Sequence, residues 1–359
     1  MDKKVVLNQC LGIDIAKDSF SSCFCFLNSD LSKDFELGKD LSNDKQGFIF
    51  LDKWIKKLGI PQVNLTIVME ATGVYHEAIA YYLYDKGYQV CIMQSGRVKK
   101  YAQSLDQRSK TDALDSKMLS MLGCERKLTP WEPPSETMEA LRFLSRERAT
   151  IIKERSIEKN RNHAMTTARF EHKKALRRFD KRMKLLNLQI EEIEKELHEL
   201  VLKDAVLKKK LAYLMSIPGV SFVSSITVIA ETFGFSLITN SKQLVSYCGY
   251  DVVLKESGNY QGQSRISKKG NKHIRAILHM PSMTAVRVNP TLKPFYERLK
   301  PKKAKPIVAL VAVQRKLLVL MYSLWKSDSY YDTEFEIKKA ARKQVLTAQD
   351  SHKNELVTS

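Results

Sequence analysis

The sequence predicts a mixed α/β domain followed by an all-helical region, and three observations carry that expectation. Up to about residue 130, apolar runs of strand length alternate with stretches of helical spacing. From Leu176 onward, apolar residues recur in alternating steps of three and four, at 176, 179, 183, 186, 190, 193, 197 and 200. Beyond residue 214 the pattern is again helical, punctuated by a Pro-Gly turn and a basic, glycine-containing segment.

The elements follow in order. Residues 9–28 read as two strands: CLGIDIA is an apolar run, and SSCFCFLN alternates after the turn-like KDS. QGFIFLDKWIKKL (46–58) has helical spacing, NLTIVME (64–70) is a buried strand ending on a glutamate, and Tyr75 to Lys86 is a helix. YQVCIMQ (88–94) is a further strand, and TDALDSKMLSMLG (111–123) a helix with Thr111 as its cap. The prolines of TPWEPP (129–134) end a first domain spanning 1–132.

Residues 133–213 predict a helical hairpin with its turn near 166–175 and a break in the heptad seam at Asp204. The seam can pair within one chain or between two. A helical domain then runs over 214–325. It opens on Ile217-Pro218-Gly219-Val220, a hairpin turn between helices whose backbone N–H groups can meet a phosphate at Gly219. A helix over 241–250 ends on Gly249, and another is expected from Asn271 to Val288. The most apolar stretch, 306–325, carries Gln314, Arg315 and Lys316 at its centre, which favours a core helix over a membrane span. Residues 326–359 turn polar and are expected to be loosely ordered.

The formal net charge is +20, and its distribution matters more than its size. Residues 1–130 hold 18 Lys/Arg against 16 Asp/Glu, whereas residues 254–305 hold 13 against 2. Residues 136–185 hold 15 against 7. A local excess of this kind calls for a polyanion, and nucleic acid is the commonest one in a cell. The six cysteines show neither a CxxC pair nor metal-ligand spacing, so they read as reduced and mostly buried, with a cytoplasmic location and no signal peptide expected.

Four acids stand out by placement. Asp14 lies inside the first strand, Glu70 ends a later one, and Asp112 and Asp115 are three apart at the start of a helix, on one side of it. A carboxylate within a buried strand is costly unless it binds something. Asp112 alone reads as a dipole-complementing helix acid, and Lys17 or Lys110 offers a structural partner. The four together point to one pair of hard cations, Mg²⁺ or its substitute Mn²⁺, clamping a phosphoryl transfer.

Ser257 precedes a glycine and then a run holding Arg265, Lys268, Lys269, Lys272 and Arg275, with Gly262 and Gly270 allowing close backbone approach. Considered alone, Ser-Gly is a turn and a basic run is a solvated face. Here the near-absence of acids and the interleaved glycines favour phosphate contact. A serine needs a base or a polarised electrophile, and His273 and Glu256 are the nearby candidates for a base.

GIDIAKDS, VMEATGVY and RSKTDALDSKML, followed by a helical spacer, SIPGV, and SG with RISKKGN, resemble the two-part DEDD transposases of bacterial insertion sequences, a group that includes the Piv/MooV-type DNA invertases. The resemblance spans about residues 8–290. It implies an RNase H-like, RuvC-type first domain whose tetrad Asp14, Glu70, Asp112 and Asp115 binds Mg²⁺. It also implies a small helical transposase domain with Ser257 as nucleophile, forming a covalent phosphoserine link to donor and target DNA. Relatives imply guidance by a structured non-coding bridge RNA and a homo-oligomer, a dimer assembling to a tetramer, in which one protomer's acids complete another's serine site. The family's Gly-Leu-x-Pro turn is replaced here by Cys248-Gly249-Tyr250-Asp251-Val252, which leaves Ser264 and Ser267 as rivals to Ser257.

Two other classes compete. A metal-dependent nuclease or Holliday-junction resolvase would use water on the same tetrad and need no serine. A non-catalytic nucleic-acid scaffold built on the coiled coil would tolerate loss of Asp14. Two separate chemical sites favour recombination, and strand exchange conserves phosphodiester energy, in keeping with a sequence that carries no GxxxxGK[ST] loop.

Overall fold

The computed structural model describes residues 5–335 apart from 72, 106–110, 168–172, 237, 255, 258–259, 263–264 and 304. Gly258, Ser264, Lys110, residues 168–172 of the hairpin turn expected near 166–175 and residues 336–359 of the polar tail therefore lie outside the described residues. The chain forms two compact units that divide between Pro133 and Pro134.

The first unit is a mixed sheet sandwiched by helices. Its elements are β1 (Val6–Ile15), β2 (Ser19–Asn28), β3 (Lys33–Leu37), β4 (Leu41–Ser42), α1 (Lys45–Lys57), β5 (Thr66–Glu70), α2 (Glu77–Asp85), β6 (Gln89–Met93), α3 (Ser95–Ser104) and α4 (Asp112–Glu125). The sheet order is β3-β2-β1-β5-β6, with β4 pairing the start of β2. β2 runs antiparallel to β1 and β3, while β1, β5 and β6 are parallel.

Strand periodicity sorts the side chains onto the two faces. Leu11, Ile13 and Ile15 join Ile67, Met69 and Val90 in a core with Phe48, Leu51 and Ile55 of α1 and Ile79 and Leu83 of α2. Cys10, Val68 and Cys91 face the other way, onto Met118, Leu119 and Leu122 of α4. All six cysteines are free and buried, as their spacing suggests.

The second unit comprises α5 (Glu136–Thr167), α6 (Lys173–Lys203), α7 (Ala205–Met215), α8 (Phe222–Thr232), α9 (Ser241–Tyr247), β7 (Val252–Val253), β8 (Glu256–Ser257), β9 (Tyr260–Gln261), β10 (Arg265–Ile266), α10 (Lys272–Ile277), α11 (His279–Val288), α12 (Leu292–Leu299) and α13 (Pro306–Ser327). The heptad seam pairs within the chain. Leu186, Ile190, Ile193, Leu197 and Val201 of α6 share a core with Leu141, Leu144 and Ile151 of α5. The pair is antiparallel, for Arg148 meets Glu194 at 2.6 Å, Arg155 meets Asn187 at 3.1 Å and Arg182 meets Glu158 at 2.9 Å. The break at Asp204 is a helix start, its carboxylate accepting from Leu207 N at 2.9 Å.

Three expectations need correcting. The hairpin and the helical region beyond 214 share one continuous core, so 133–213 is not a domain apart from 214–325. The helix expected over 271–288 is two, α10 and α11, parted at Leu278. Pro281 has no N–H to offer the carbonyl of Ile277, which ends the first helix there. The tail is not loose from 326 onward: Tyr331 N donates to Ser216 Oγ at 2.8 Å and Tyr330 packs edge-on against Tyr213 at 4.9 Å. Helix α13 is long and apolar enough to cross a membrane by composition, yet Val313, Leu317, Leu318 and Met321 lie in the core. Its buried Gln314 Oε1 accepts from Tyr250 Oη at 3.0 Å.

Candidate active site

In the first unit the strand register sets Asp14 and Glu70 side by side, and Asp112 and Asp115 stand on the first turn of the helix that covers the same face. β1 and β5 run parallel, with Gly12 beside Val68 and Ile13 beside Met69. The next step along both strands is Asp14 and Glu70, which therefore occupy neighbouring strands at one level, about 4.8 Å apart in backbone. Alternation puts both on the face of Cys10, Gly12 and Val68, the face covered by α4.

Helix α4 runs against β1 head to tail. Cys10 lies under Gly123, and Gly12 under Ser116 and Ser120. Two more strand residues advance about 6.6 Å, which corresponds to about four helical residues at 1.5 Å each. That step reaches from Ser116 to the first turn of α4, where Asp112 and Asp115 stand. The turn begins at Thr111, whose hydroxyl accepts from Leu114 N at 3.2 Å. Glycine is required at position 12 because a side chain there would collide with α4 backbone; this residue, not singled out in the sequence, sets how closely α4 approaches the strand acids.

The donor set is all carboxylate oxygen, which suits a hard divalent cation. Among the described residues, no three or more His, Cys, Asp or Glu side chains are gathered into a ready metal cage. Magnesium does not require one, because it keeps waters and substrate phosphate oxygens beside one or two carboxylates. The residues present therefore fit such an ion by donor chemistry and by register.

In the second unit Ser257 lies exposed on β8, its backbone paired with Tyr260 of β9. β7 and β10 form a second short antiparallel pair, Arg265 beside Val253 and Ile266 beside Val252, and the described residues of these two pairs together are the arm. Val252, Val253 and Leu254 are exposed along it. Among the described residues, no hydrogen bond to the Ser257 hydroxyl is found. Ser267 is committed elsewhere. Its Oγ donates to Asp251 Oδ1 at 2.6 Å and accepts from Lys269 N at 3.2 Å, fastening the base of the arm.

The departure at 248–252 has a structural explanation. Gly249 adopts φ +69° after α9, and Tyr250 turns inward as a fully buried anchor. The cations divide in role. Arg265, Lys268, Lys269 and Lys272 are exposed. Arg275 differs from the expectation of phosphate contact, because its Nη1 donates to the carbonyls of Cys248 at 2.7 Å and Gly270 at 3.2 Å. It clamps the loop that carries the others.

Gly219 sits at φ +100° with Ala285 of α11 packed against it, a sufficient reason for glycine at the hairpin turn. Burial, followed by the charges of Arg146, Lys272 and Arg142, holds His273 below the usual imidazole range despite Glu231, so its neutral form prevails near pH 7.

Sequence reasoning missed Glu231. It is fully buried and receives Arg146 through Nε at 2.7 Å and Nη2 at 2.9 Å, and Asn271 Nδ2 at 2.6 Å. Its one visible signal is an acid at the end of the apolar helical run SSITVIAE.

Two family models match the chain, a transposase model of the DEDD IS110 type over residues 11–170 and the transposase IS116/IS110/IS902 family over 211–297. The chain belongs to this transposase family. It is an enzyme of DNA transposition and recombination. The transposase is 26% identical over 324 residues to the pilin gene-inverting proteins of Moraxella lacunata and Moraxella bovis, covering 90% of this chain and 97% of each relative. A likeness to the yeast mitochondrial Holliday junction resolvase Ydc2 covers 33% of this transposase and 79% of that chain, at 15% identity and a TM-score of 0.23.

Proposed function

We propose that this transposase cuts and rejoins donor and target DNA through a covalent phosphoserine intermediate formed by Ser257. The observation that carries the reading is the exposed Ser257 followed in the chain by the exposed cations Arg265, Lys268, Lys269 and Lys272, in a protein whose other unit has Asp14 and Glu70 on neighbouring strands and Asp112 and Asp115 on the first turn of the helix over that face. The strand order, with β2 alone reversed, supports an RNase H-like, RuvC-type reading of the first unit.

In the reaction, Ser257 Oγ attacks the phosphorus of a DNA phosphodiester. A P–O bond to Ser257 forms, the P–O bond to one sugar oxygen breaks, and that oxygen leaves as a free hydroxyl after taking a proton. The serine proton passes to solvent or to a neighbouring base such as neutral His273. A hydroxyl from the exchanging strand then attacks the phosphoserine and releases Ser257. Arg265, Lys268, Lys269 and Lys272 hold the flanking phosphates, with the Gly219 turn as a further backbone contact. Mg²⁺, held by Asp14, Glu70, Asp112 and Asp115, would supply charge stabilisation for the phosphoryl oxygens. The acids and the serine act together when protomers assemble as dimers and tetramers, and a structured guide RNA selects the sites.

The test incubates the full chain with Mg²⁺, element-end DNA and the adjacent transcript. A DNA adduct that survives denaturant and is absent from Ser257→Ala and Asp14→Ala supports the reading. Cutting by Ser257→Ala without an adduct would establish the water-using nuclease or resolvase instead. Adduct formation without the transcript would remove the guide RNA.

A further inference from the structure

Glu231 is held from two sides in the second unit and has no part in the chemistry described above. It stands near the end of α8, fully buried. From one side Arg146 of α5 grips both carboxylate oxygens, and Arg142 approaches to 3.8 Å. From the other, Asn271 Nδ2 donates to Oε2 at 2.6 Å. Tyr247 Oη donates to the backbone carbonyl of the same residue at 2.8 Å. Burial raises the carboxyl pKa, but the Arg146 and Asn271 hydrogen bonds with the charges of Arg146 and Arg142 outweigh it, so the group stays ionised well into acid.

Asn271 faces two ways. Its Oδ1 accepts from His273 N at 2.9 Å and Ile274 N at 3.1 Å, capping α10, while its amide nitrogen reaches Glu231. Its backbone N donates to Tyr247 O at 2.9 Å. Immediately before it lie Lys268 at φ +54°, Lys269, and Gly270 at φ +146°. A side chain at 270 would collide with Tyr247 O, so the backbone there is held against α9. At its downstream end the loop is thus held by the Asn271 side-chain amide on a buried carboxylate, beside the backbone bonds of Asn271 N to Tyr247 O and Lys268 N to Gly249 O and the Arg275 contact to Gly270 O. That carboxylate is in turn fixed by an arginine from the long hairpin. Arg146 falls within the first family model and Asn271 within the second, so the link joins the two matched segments.

We infer that Glu231 is a positioning residue for strand cleavage: through Asn271 it sets the basic loop that follows the Ser257 arm, and through Arg146 it ties that loop to the α5–α6 hairpin. The inference rests on the serine reading above. A carboxylate suits the task because it accepts from the guanidinium and the amide at once, with charge-assisted bonds to both partners. A glutamine there accepts through one oxygen only and turns an NH₂ toward one of two donors.

The experiment uses the full-length chain in three forms beside wild type: Glu231→Gln, Asn271→Ser and Ser257→Ala. Serine at 271 still caps α10 but is too short to reach Glu231. It therefore cuts the link without removing the cap, and serves where Glu231→Gln fails to fold. Two readouts are taken: amide hydrogen exchange of the 267–274 backbone against α6, and the single-turnover rate of the denaturant-resistant adduct at saturating DNA. The expected result is at least tenfold faster exchange at 267–274 with α6 unchanged. The adduct rate should fall at least tenfold at unchanged DNA affinity. A purely structural role would lower the rate only in proportion to the folded fraction. Wild-type exchange and rate in Asn271→Ser, with Ser257→Ala inactive, overturns the inference while leaving the serine reading intact. An adduct that persists in Ser257→Ala overturns the serine reading and this inference with it, while altered exchange would still mark the link as structural.

Discussion

Replacing Gly12 by alanine tests the geometry of the acidic rim without touching an acid. A Cβ at position 12 would overlap Ser116 O and Ser120 N of α4, with Leu119 C at 3.0 Å. These are helix backbone atoms and cannot rotate away. To restore contact, α4 must retreat by roughly 1 Å in a close-packed interior. Overpacking of this kind costs about 1–3 kcal/mol, and a rigid neighbour favours the upper end. Against a typical total of about 5–15 kcal/mol, the first unit should survive. Activity should not, because α4 carries Asp112 and Asp115 away from Asp14 and Glu70. A misplacement of about 1 Å is worth about 10²-fold in rate. The assay is urea unfolding followed by Trp54 and Trp131, both in the first unit, alongside single-turnover adduct formation. Gly96→Ala is the control, since a Cβ there meets nothing within 4 Å. Wild-type stability and rate in Gly12→Ala would refute the claim that this glycine sets the approach of α4.

Three further outcomes are expected. Leu197→Ala, at a fully buried seam position, should cost about 2–5 kcal/mol, read from denaturant unfolding by circular dichroism at 222 nm. Neutralising Lys268 and Lys269 together should reduce the slope of log affinity against log salt by about 2, at about 0.9 per phosphate lost, measured by fluorescence anisotropy on a DNA duplex. Glu231 has a folded pKa below its usual value. Its stabilisation is therefore complete above the unfolded value of about 4.3 and disappears as pH falls through the lower folded value. Acid titration of Trp325 fluorescence should show that loss in wild type, and a flatter profile in Glu231→Gln.

The elements that followed from the sequence were those with a sustained period. The strands β1, β2, β5 and β6 carry apolar residues on both faces because helices cover both, and the α6 seam repeats its three-and-four spacing for more than three heptads. β3, β4 and α3 escaped notice. KDFEL is a short edge strand with little buried surface, LS is two residues long, and SGRVKKYAQS is too polar to show a stripe. For each, tertiary pairing supplies what local composition does not.

The acids could be listed from the sequence but not brought together, because convergence depends on register. Asp14 and Glu70 fall on one face of neighbouring strands because β1 pairs with β5 in one frame; a shift of one residue would turn one of them to the opposite face. Arg275 and Lys272 differ for a related reason. They look equivalent in a basic run, yet the arginine folds back onto three carbonyls and the lysine faces outward, according to where the helix start at Asn271 leaves each. Glu231 was hidden most completely, since its partners lie 85 residues upstream and 40 downstream. A charge inside an apolar helix is costly unless such partners exist. Its presence in SSITVIAE therefore already implied a distant cation, and only the fold could say that the cation sits on the hairpin and the remaining partner at the basic loop.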